Sequence, residues 1–496
     1  MTTTIGILGG GISGLSAAFH LSRRLASNPK ARIVLLEASK RLGGWIKSEN
    51  ATVHVGGKPY SVVLESGPRT LRPKSMEMLE LIHLLGLEPA LALIPYSHPA
   101  ARNRFIYFPE TGVTRLPSDI ISLARSQLVD RASLGGLLPA ALVEIFKPAN
   151  RPRGMTDESF DSFISRRFGE EFARRFGSSL VHGIYAADSR KLSMRAAFGQ
   201  VWDAEDAGGG SVVRGVLGRT NGNAASASDS FDLGNMQEIM KEVNVFRFHN
   251  GMESVSRALS NALQGVPQVD IRIGENVRNI RPSDESSGLK VETTSGTLEL
   301  SHVISTLPLS TLSSTLPTTR TLPHLNYNPS TTVHVANIIF PPSPSPIHPP
   351  GFGYLIPRPT KDYQSAESPV LGCVFDSTVS SSSRPTVVTM MLGGPFSTAE
   401  PIPREKILST LASHLRVPSL PEPLLFRYHV QSNCIPTPLV GHLDRMAEMK
   451  DAAQREWGGR LRVIGSGVGG VSLGDCVRDG RRAAIEVVDA MRSNVM

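Results

Sequence analysis

Gly9-Gly10-Gly11-Ile12-Ser13-Gly14 spells G-x-G-x-x-G and directly follows the apolar run Ile5-Gly6-Ile7-Leu8. These residue types at this spacing suit the holding of a pyrophosphate. Gly9 allows a tight turn, Gly11 lets backbone approach the phosphates, and Gly14 lets a helix pack closely on its strand. The phosphates would then rest on free N–H groups at the positive end of a helix expected over Ser13–Leu25. A second apolar run, Ile33-Val34-Leu35-Leu36, ends on Glu37. That acid lies ~20 residues past the last glycine, where a carboxylate accepts from the adenosine ribose hydroxyls. The flanking strands and the acid separate this dinucleotide unit from a glycine turn in an unrelated α/β unit.

Arg41-Leu42-Gly43-Gly44-Trp45 follows at once. A second glycine pair in this register is similar to flavoproteins of the amine oxidase and desaturase type, whose chain passes closely over a long FAD. The expected cofactor is therefore FAD rather than NAD. At the other end, Leu461-Arg462-Val463-Ile464 runs into Gly465-Ser466-Gly467-Val468-Gly469-Gly470 and a helix to about Met491. This second turn offers another positive helix end, which could face the flavin ring where negative charge collects on reduction, worth about 1–2 kcal/mol. The alternative is a helix that merely closes the sheet.

The bulk numbers limit what else the chain can be. At 496 residues it should hold two or three domains. Apolar content of 40 % with 19 % charged residues describes a globular protein. Lys+Arg 52 against Asp+Glu 44 gives +8, a balance that suits an anionic ligand or an anionic membrane surface. The basic residues are dispersed and no nucleic-acid motif accompanies them, so no nucleic-acid partner is expected. Cys373, Cys434 and Cys476 form no C-x-x-C pair and no His cluster sits near them, which points to neither a disulfide framework nor a metal site. No run approaches the ~20 apolar residues of a spanning helix. A secreted or membrane-spanning protein is not expected; one lying on a membrane is still open.

The elements that position these motifs can be placed coarsely. The dinucleotide unit takes residues 1–95, followed by the basic aromatic stretch His98–Phe108. Residues 118–201 read as mainly helical, with Leu134–Phe146 the most apolar segment, able to dip into one face of a bilayer. Phe160, Phe163, Ile164, Phe168, Phe172 and Phe176 recur at helical spacing as a core stripe. Arg166, Arg167, Glu170, Glu171, Arg174 and Arg175 are expected on its solvent face. Residues 204–235, rich in Gly, Ser, Asn, Asp and Ala, read as a flexible insertion. A helix then opens at Glu253, and strands over 269–273, 277–280, 289–293 and 303–306 return to the first unit. Alternating strands fill 321–454, with soft spots at 341–350 and 377–385.

The ordered set of blocks resembles the protoporphyrinogen oxidase family of oxygen-dependent FAD enzymes over nearly the whole length. Those blocks are Leu36-Glu37 with Arg41–Ile46, Gly67-Pro68-Arg69-Thr70 with Arg72-Pro73, and His98–Ala101 with Asn103-Arg104-Phe105. Further on come Gly351–Pro357, Met391–Gly394, Asn433–Pro436 and Gly470–Cys476. The resemblance implies an α/β fold with a discontinuous Rossmann-like FAD-binding domain (1–95, 245–320, 455–496). It also implies an α+β substrate domain (96–117, 321–454) and a mainly helical membrane-associated domain (118–244). It assigns FAD binding to Gly9, Gly10, Gly11, Ile12, Ser13, Gly14, Glu37, Ala38, Trp45, Gly67, Pro68, Arg69 and Thr70. Val277 would touch the adenine side, and Ser466, Val471, Ser472 and Leu473 would sit near the isoalloxazine. Arg104 would pair with a propionate of a tetrapyrrole, its guanidinium fork matching a carboxylate, with Arg102 in reserve. Phe352, Leu355, Val374 and Met391 would clamp the macrocycle, and Gly183 would bring backbone close to it. Ser466 and Ala187 depart from residues common in relatives. The implied partners are the tetrapyrrole, molecular oxygen, a membrane surface and a second copy of the chain, at the mitochondrial inner membrane. No side chain stands out as an essential base, so positioning by the protein and redox chemistry by the flavin are expected. Coproporphyrinogen oxidation, amine oxidation, carotenoid desaturation and a non-catalytic escort role are the rival readings.

Overall fold

The computed structural model describes residues 3–117, 137–219, 230–283, 288–364, 366, 368–377, 383–396 and 401–493. A five-stranded parallel sheet runs in the order β19 (Leu461–Val463), β13 (His302–Ser305), β1 (Thr3–Leu8), β2 (Ala31–Glu37), β9 (Val269–Ile273). Its inner strands β13, β1 and β2 are mostly buried apolar runs because both faces are covered, while the edge strand β9 carries Asp270 and Arg272. On one face α1 (Ile12–Arg24), α2 (Met76–Leu84), α8 (Glu253–Gln264) and α11 (Leu473–Ser493) share a core with Ile5, Ile33 and Leu35. Since β1 and β19 are parallel members of one sheet, the turns that follow them open at the same edge. The two helices that follow pack directly together: Ser16 Oγ donates to Val477 O at 2.9 Å. A Cβ on Gly480 would lie 2.6 Å from Ser13 O. Glycine there lets the two backbones touch.

The other face is covered by the three-stranded sheet β10 (Val277–Pro282), β11 (Leu289–Thr293), β12 (Thr297–Leu300) and by α10 (His442–Glu456). Met446, Met449 and Trp457 pack there with Leu8, Val34 and Val303. The return of the chain to the first unit therefore begins at 442, ahead of the boundary expected at 455. At the other boundary, β8 (Val243–Phe248) pairs with β5 (Leu91–Pro95), and Met236 and Met240 enter the first core.

A seven-stranded sheet has the order β18 (Leu425–Pro436), β14 (Ser330–Phe340), β17 (Thr386–Gly393), β16 (Val370–Phe375), β15 (Gly353–Leu355), β6 (Phe105–Phe108), β7 (Gly112–Arg115). Alternation sends Ala336, Ile338, Tyr354, Cys373 and Met390 against α9 (Arg404–Leu415). The residues between them face the opposite side. There the hairpin β3 (Ser48–Val55) and β4 (Lys58–Glu65) packs Ala51, Val53 and Leu64 on Ile339 and Val387.

The helical part comprises α3 (Leu137–Phe146), α4 (Phe160–Phe168), α5 (Ser178–Tyr185), α6 (Gly199–Ala207) and α7 (Val212–Arg219). Two expectations are corrected here. The segment 204–219 is the end of α6, a tight turn and α7 rather than a flexible insertion, with Ala204, Glu205, Ser211 and Val212 buried; residues 220–229 of that stretch lie outside the described ones. Arg167 is likewise not on a solvent face. It is fully buried and its Nε and Nη2 donate to Glu144 Oε1 at 2.9 and 2.8 Å. Glu144 also accepts from Ser211 Oγ and the Val212 amide, so one buried carboxylate ties α3, α4 and α7 together. Charges so far from water persist only when paired and fully hydrogen-bonded. Residues 134–136 of the apolar segment fall outside the described residues. Among the described residues no helix is long and apolar enough to cross a membrane.

Candidate active site

The N-terminal glycine turn is built from backbone contacts. Gly9 has φ +103°, and a Cβ on Gly14 would stand 1.9 Å from Gly9 O. Gly43 N–H donates to Gly10 O at 2.9 Å, and a Cβ on Gly44 would lie 3.2 Å from Gly11 Cα. The second glycine pair thus lies on the first. Gly11 caps α1 in extended geometry, and a Cβ built on it meets nothing within 4 Å. That is the open direction a pyrophosphate needs beside the start of a helix. Trp45 is half-exposed in the loop that follows, and a Cβ on Gly67 would lie 2.2 Å from Trp45 O. The Gly67–Thr70 segment therefore runs against that loop.

Glu37 ends β2 as expected, but its carboxylate also organises the turn. Oε2 accepts from Gly10 N–H at 2.7 Å and Oε1 from Ser39 N–H at 2.8 Å. Each oxygen retains a lone pair for a ribose hydroxyl. Ala38 is exposed beside it. The Val277 side chain is buried in the core with Leu8 and Leu36. Contact on the adenine side would come from nearby backbone, since Glu275 N–H donates to Glu37 O at 2.9 Å.

The C-terminal turn closes on the first. A Cβ on Gly465 would lie 3.7 Å from Thr306 O and 4.0 Å from Ser13 Oγ. Thr306 Oγ1 in turn donates to Leu8 O at 2.9 Å and Gly9 O at 3.2 Å. Ser472 caps α11: its Oγ accepts from Asp475 N–H at 3.1 Å and donates to Asp475 Oδ2 at 2.6 Å. This pairing places a carboxylate in the first turn, which opposes part of the positive potential expected there. Cys476 is buried, its thiol faces Gly470 O at 3.8 Å, and burial pushes it up to about 11. A thiol so held is a poor nucleophile, which counts against the covalent flavin link of some amine oxidases.

The seven-stranded sheet carries an apolar row that is the candidate slot for a macrocycle. Leu355 pairs with Gly372, Gly372 with Met391, and Met391 with Val335 in one row across β15, β16, β17 and β14. Val374, two residues from Gly372, faces the same way. A Cβ on Gly183 would lie 2.7 Å from Leu355 Cδ2, so any side chain there would have to displace Leu355. Phe352 is anchored by its backbone to Asn103 O and Phe375 N–H, both at 3.0 Å. Helix α5 joins the two parts of the site, because Gly183 touches the slot while Tyr185 lines a small cavity with Ser466–Val471.

Arg104 precedes β6, whose Phe105 pairs with Tyr354 in β15, so it stands at the rim of the slot. Burial, and then the nearby Arg72 guanidinium, push its pKa down. Its side chain is exposed, and its Nη2 donates to Asn244 Oδ1 at 3.4 Å. Two like charges acting on each other favour an anion between them. The sequence alone assigns Arg72 no role of its own; its block is tied to FAD. Arg102 is exposed. Arg69 faces inward: Nη1 pairs with Asp376 Oδ1 at 2.8 Å and Nη2 donates to Glu65 O at 3.3 Å. It clamps the Gly67–Thr70 segment onto β16. His182, beside Gly183, donates from Nδ1 to Ile356 O at 2.7 Å and accepts from Tyr363 Oη at 2.9 Å. Burial lowers it to about 4, so it remains neutral and structural.

The sequence pattern of flavin containing amine oxidoreductases matches residues 12–488. The chain belongs to this family. Its cofactor is FAD, and it is an FAD-dependent oxidoreductase. The site fits that group: Gly11 leaves an open approach at a helix start, and both glycine turns meet at one sheet edge. The chain is similar to the protoporphyrinogen oxidase of Schizosaccharomyces pombe, at 32 % identity over 99 % of this chain and 100 % of the relative. It is also similar to that of Homo sapiens, at 32 % over 98 % and 99 %. A solved protein from Exiguobacterium sp. 255-15 shares the fold with TM-score 0.75 at 21 % identity, covering 98 % of this chain and 99 % of that one. Cyclohexylamine oxidase from Brevibacterium oxydans IH-35A shares it with TM-score 0.60 at 15 % identity, covering 99 % and 100 %.

Proposed function

We propose that this flavin-containing amine oxidoreductase oxidises protoporphyrinogen IX to protoporphyrin IX with oxygen as acceptor and release of hydrogen peroxide, as a step of haem biosynthesis. The observation that carries this reading is the end-to-end likeness to protoporphyrinogen oxidases at 32 % identity. The apolar slot with its arginine rim supports it. FAD, when bound, supplies the two-electron acceptor that oxygen regenerates. The chain's own part is placement. Gly9 to Gly14, Glu37, Ala38, Trp45 and Gly67 to Thr70 hold the dinucleotide, and Ser466 with Val471 to Leu473 borders its ring.

Leu355, Val374 and Met391, with Phe352, grip the macrocycle through apolar contact, and Gly183 lets it approach α5. Arg104 and Arg72 hold a propionate at the rim, which fixes which carbon is presented. No side-chain base is required. Loss of activity on removal of one titratable side chain, with flavin retained, would overturn that part.

The exposed Leu142, Val143 and Phe146 on α3 support seating on a membrane surface. The inner mitochondrial membrane and a homodimer go with this reading. The test follows porphyrin fluorescence with protoporphyrinogen and coproporphyrinogen side by side. Faster conversion of protoporphyrinogen is expected; a preference for the tetracarboxylate would move the assignment to coproporphyrinogen.

A further inference from the structure

His442 opens α10, ahead of the C-terminal glycine turn, and is buried against it. Its Nε2 lies 3.2 Å from Val468 O, and its Nδ1 lies 2.8 Å from Asn328 Nδ2. A carbonyl can only accept, so Nε2 carries the hydrogen and Nδ1 must accept from the Asn328 amide. Asn328 is held in that orientation because its Oδ1 accepts from Leu439 N–H at 3.2 Å. The relay therefore has one direction throughout: Leu439 amide to Asn328, Asn328 to His442, His442 to the Val468 carbonyl.

That carbonyl belongs to the peptide between Val468 and Gly469. The N–H of the same peptide donates to Gly465 O at 3.1 Å. The plane is thus held at both ends, which matters because Gly469 and Gly470 follow. Glycine gives such a peptide little steric resistance to flipping. Beyond it, Gly470 has φ +141° and leads into Val471, Ser472 and Leu473. A cavity of about 30 Å³ is lined by the turn together with Tyr185, Asn328 and His442, so the peptide is not held there by close packing on every side.

We propose that His442 is a positioning residue for the flavin ring. Acting through the Val468 carbonyl, it fixes the peptide plane of the C-terminal glycine turn and hence the direction of the amides that border the ring. The inference rests on the reading that Ser466 and Val471–Leu473 border that ring.

The test uses purified holoenzyme and reads the rate of FAD release and the shape of the bound flavin's visible absorption band. In His442→Leu, release should quicken about five- to tenfold, the effect of one lost buried hydrogen bond, and the band shape should change. His442→Gln can place an amide N–H near the position of Nε2, and should bring both readouts back to within about twofold of wild type. His442→Asn reaches only the Nδ1 position and should not. Asn328→Ala, which frees the ring to take the other tautomer, should fall between and serves if His442→Leu does not fold. A residue that merely packs would make release follow the loss of thermal stability and would treat Gln and Asn alike; that result overturns the proposal. Gly470→Ala separates the two levels, since its Cβ would lie 2.6 Å from Asp475 Oδ2 at a positive φ. If Gly470→Ala disturbs the flavin and His442→Leu does not, the role of His442 falls alone. If folded Gly470→Ala leaves both readouts unchanged, the placement of the ring falls and this inference with it.

Discussion

The two glycine turns do comparable work and are held in different ways. The N-terminal turn is fixed by backbone: Gly14 against Gly9 O, Gly43 N–H on Gly10 O, Gly44 against Gly11 Cα. The C-terminal turn has its own bonds from Val468 and Gly469 N–H to Gly465 O, and side chains outside it complete the hold. His442 holds Val468 O, Arg478 Nη2 donates to Gly469 O at 3.2 Å, and a Cβ on Gly469 would lie 1.9 Å from Asp479 Oδ2. A turn made of backbone admits no substitution at its contacts. A turn held by side chains can be loosened or retuned without changing its own residues.

The largest effect that tests this contrast is expected at Gly14. Gly14→Ala drives a methyl into a main-chain oxygen that cannot move without breaking the turn. Destabilisation above about 4 kcal/mol is expected, seen as colourless or insoluble protein, with no second-site side-chain change restoring the yellow holoenzyme. A Gly14→Ala protein that retains FAD would break the comparison at its first member. Next comes Glu37, the charged side chain that accepts from the N-terminal turn. Glu37→Ala removes the acceptor of the Gly10 amide and, on the proposed reading, of the ribose. FAD affinity should fall about 10- to 100-fold, the value of a charged hydrogen bond, measured by titrating apoprotein with FAD. Glu37→Gln should lose less, because one acceptor oxygen remains.

This difference also explains what could be read from the chain. The N-terminal turn and its strands are legible because each constraint lies within about 40 residues and expresses itself as glycine at a fixed spacing. The slot was reachable through the family blocks; Leu355, Met391 and Val374 are otherwise ordinary apolar strand residues, brought into one row only by pairing of β15, β16 and β17. His442 and Asp479 carry no local signal, since a histidine after glycine and an aspartate in a polar helix read as surface. The segment 204–219 misled for a related reason. Its small polar composition suits a loop, but Glu205 is buried against Arg151 and Arg166, and Gly215, whose Cβ would lie 1.8 Å from Ala204 O, lets α6 and α7 touch. Val277 turns its side chain into the core, so any contact it makes on the adenine side would be through its backbone.

A smaller effect is expected at Gly469. Gly469→Ala also creates a close contact, but with the end of a side chain. A cost of about 1–3 kcal/mol should appear in thermal unfolding of the holoenzyme. Gly469→Ala with Asp479→Ala should recover most of it, because the obstructing carboxylate is gone. Failure of the pair to recover would mean that this turn, like the first, is limited by its own backbone.

The smallest effect belongs to Asp479 itself, and its sign can be fixed. Burial raises this carboxyl from 3.8 to about 6, with Asp475 adding to the rise and Arg478, Lys450 and Arg482 opposing it. The folded protein therefore holds the proton more tightly than the unfolded chain. The stability penalty for ionising Asp479 is absent below about pH 4, grows as pH rises toward 6 and is complete above it. Asp479→Asn keeps the shape and never ionises, so it should be the more stable protein at pH 8, by on the order of 1 kcal/mol once the neighbouring cations are allowed for. Wild type and variant should converge near pH 4, where the buried histidines of the chain destabilise both equally. Thermal unfolding at pH 4, 6 and 8 checks the difference between the two curves. A difference that grows toward low pH would mean that the carboxylate is stabilised in the fold. The C-terminal turn would then be fastened by a charge rather than strained by one.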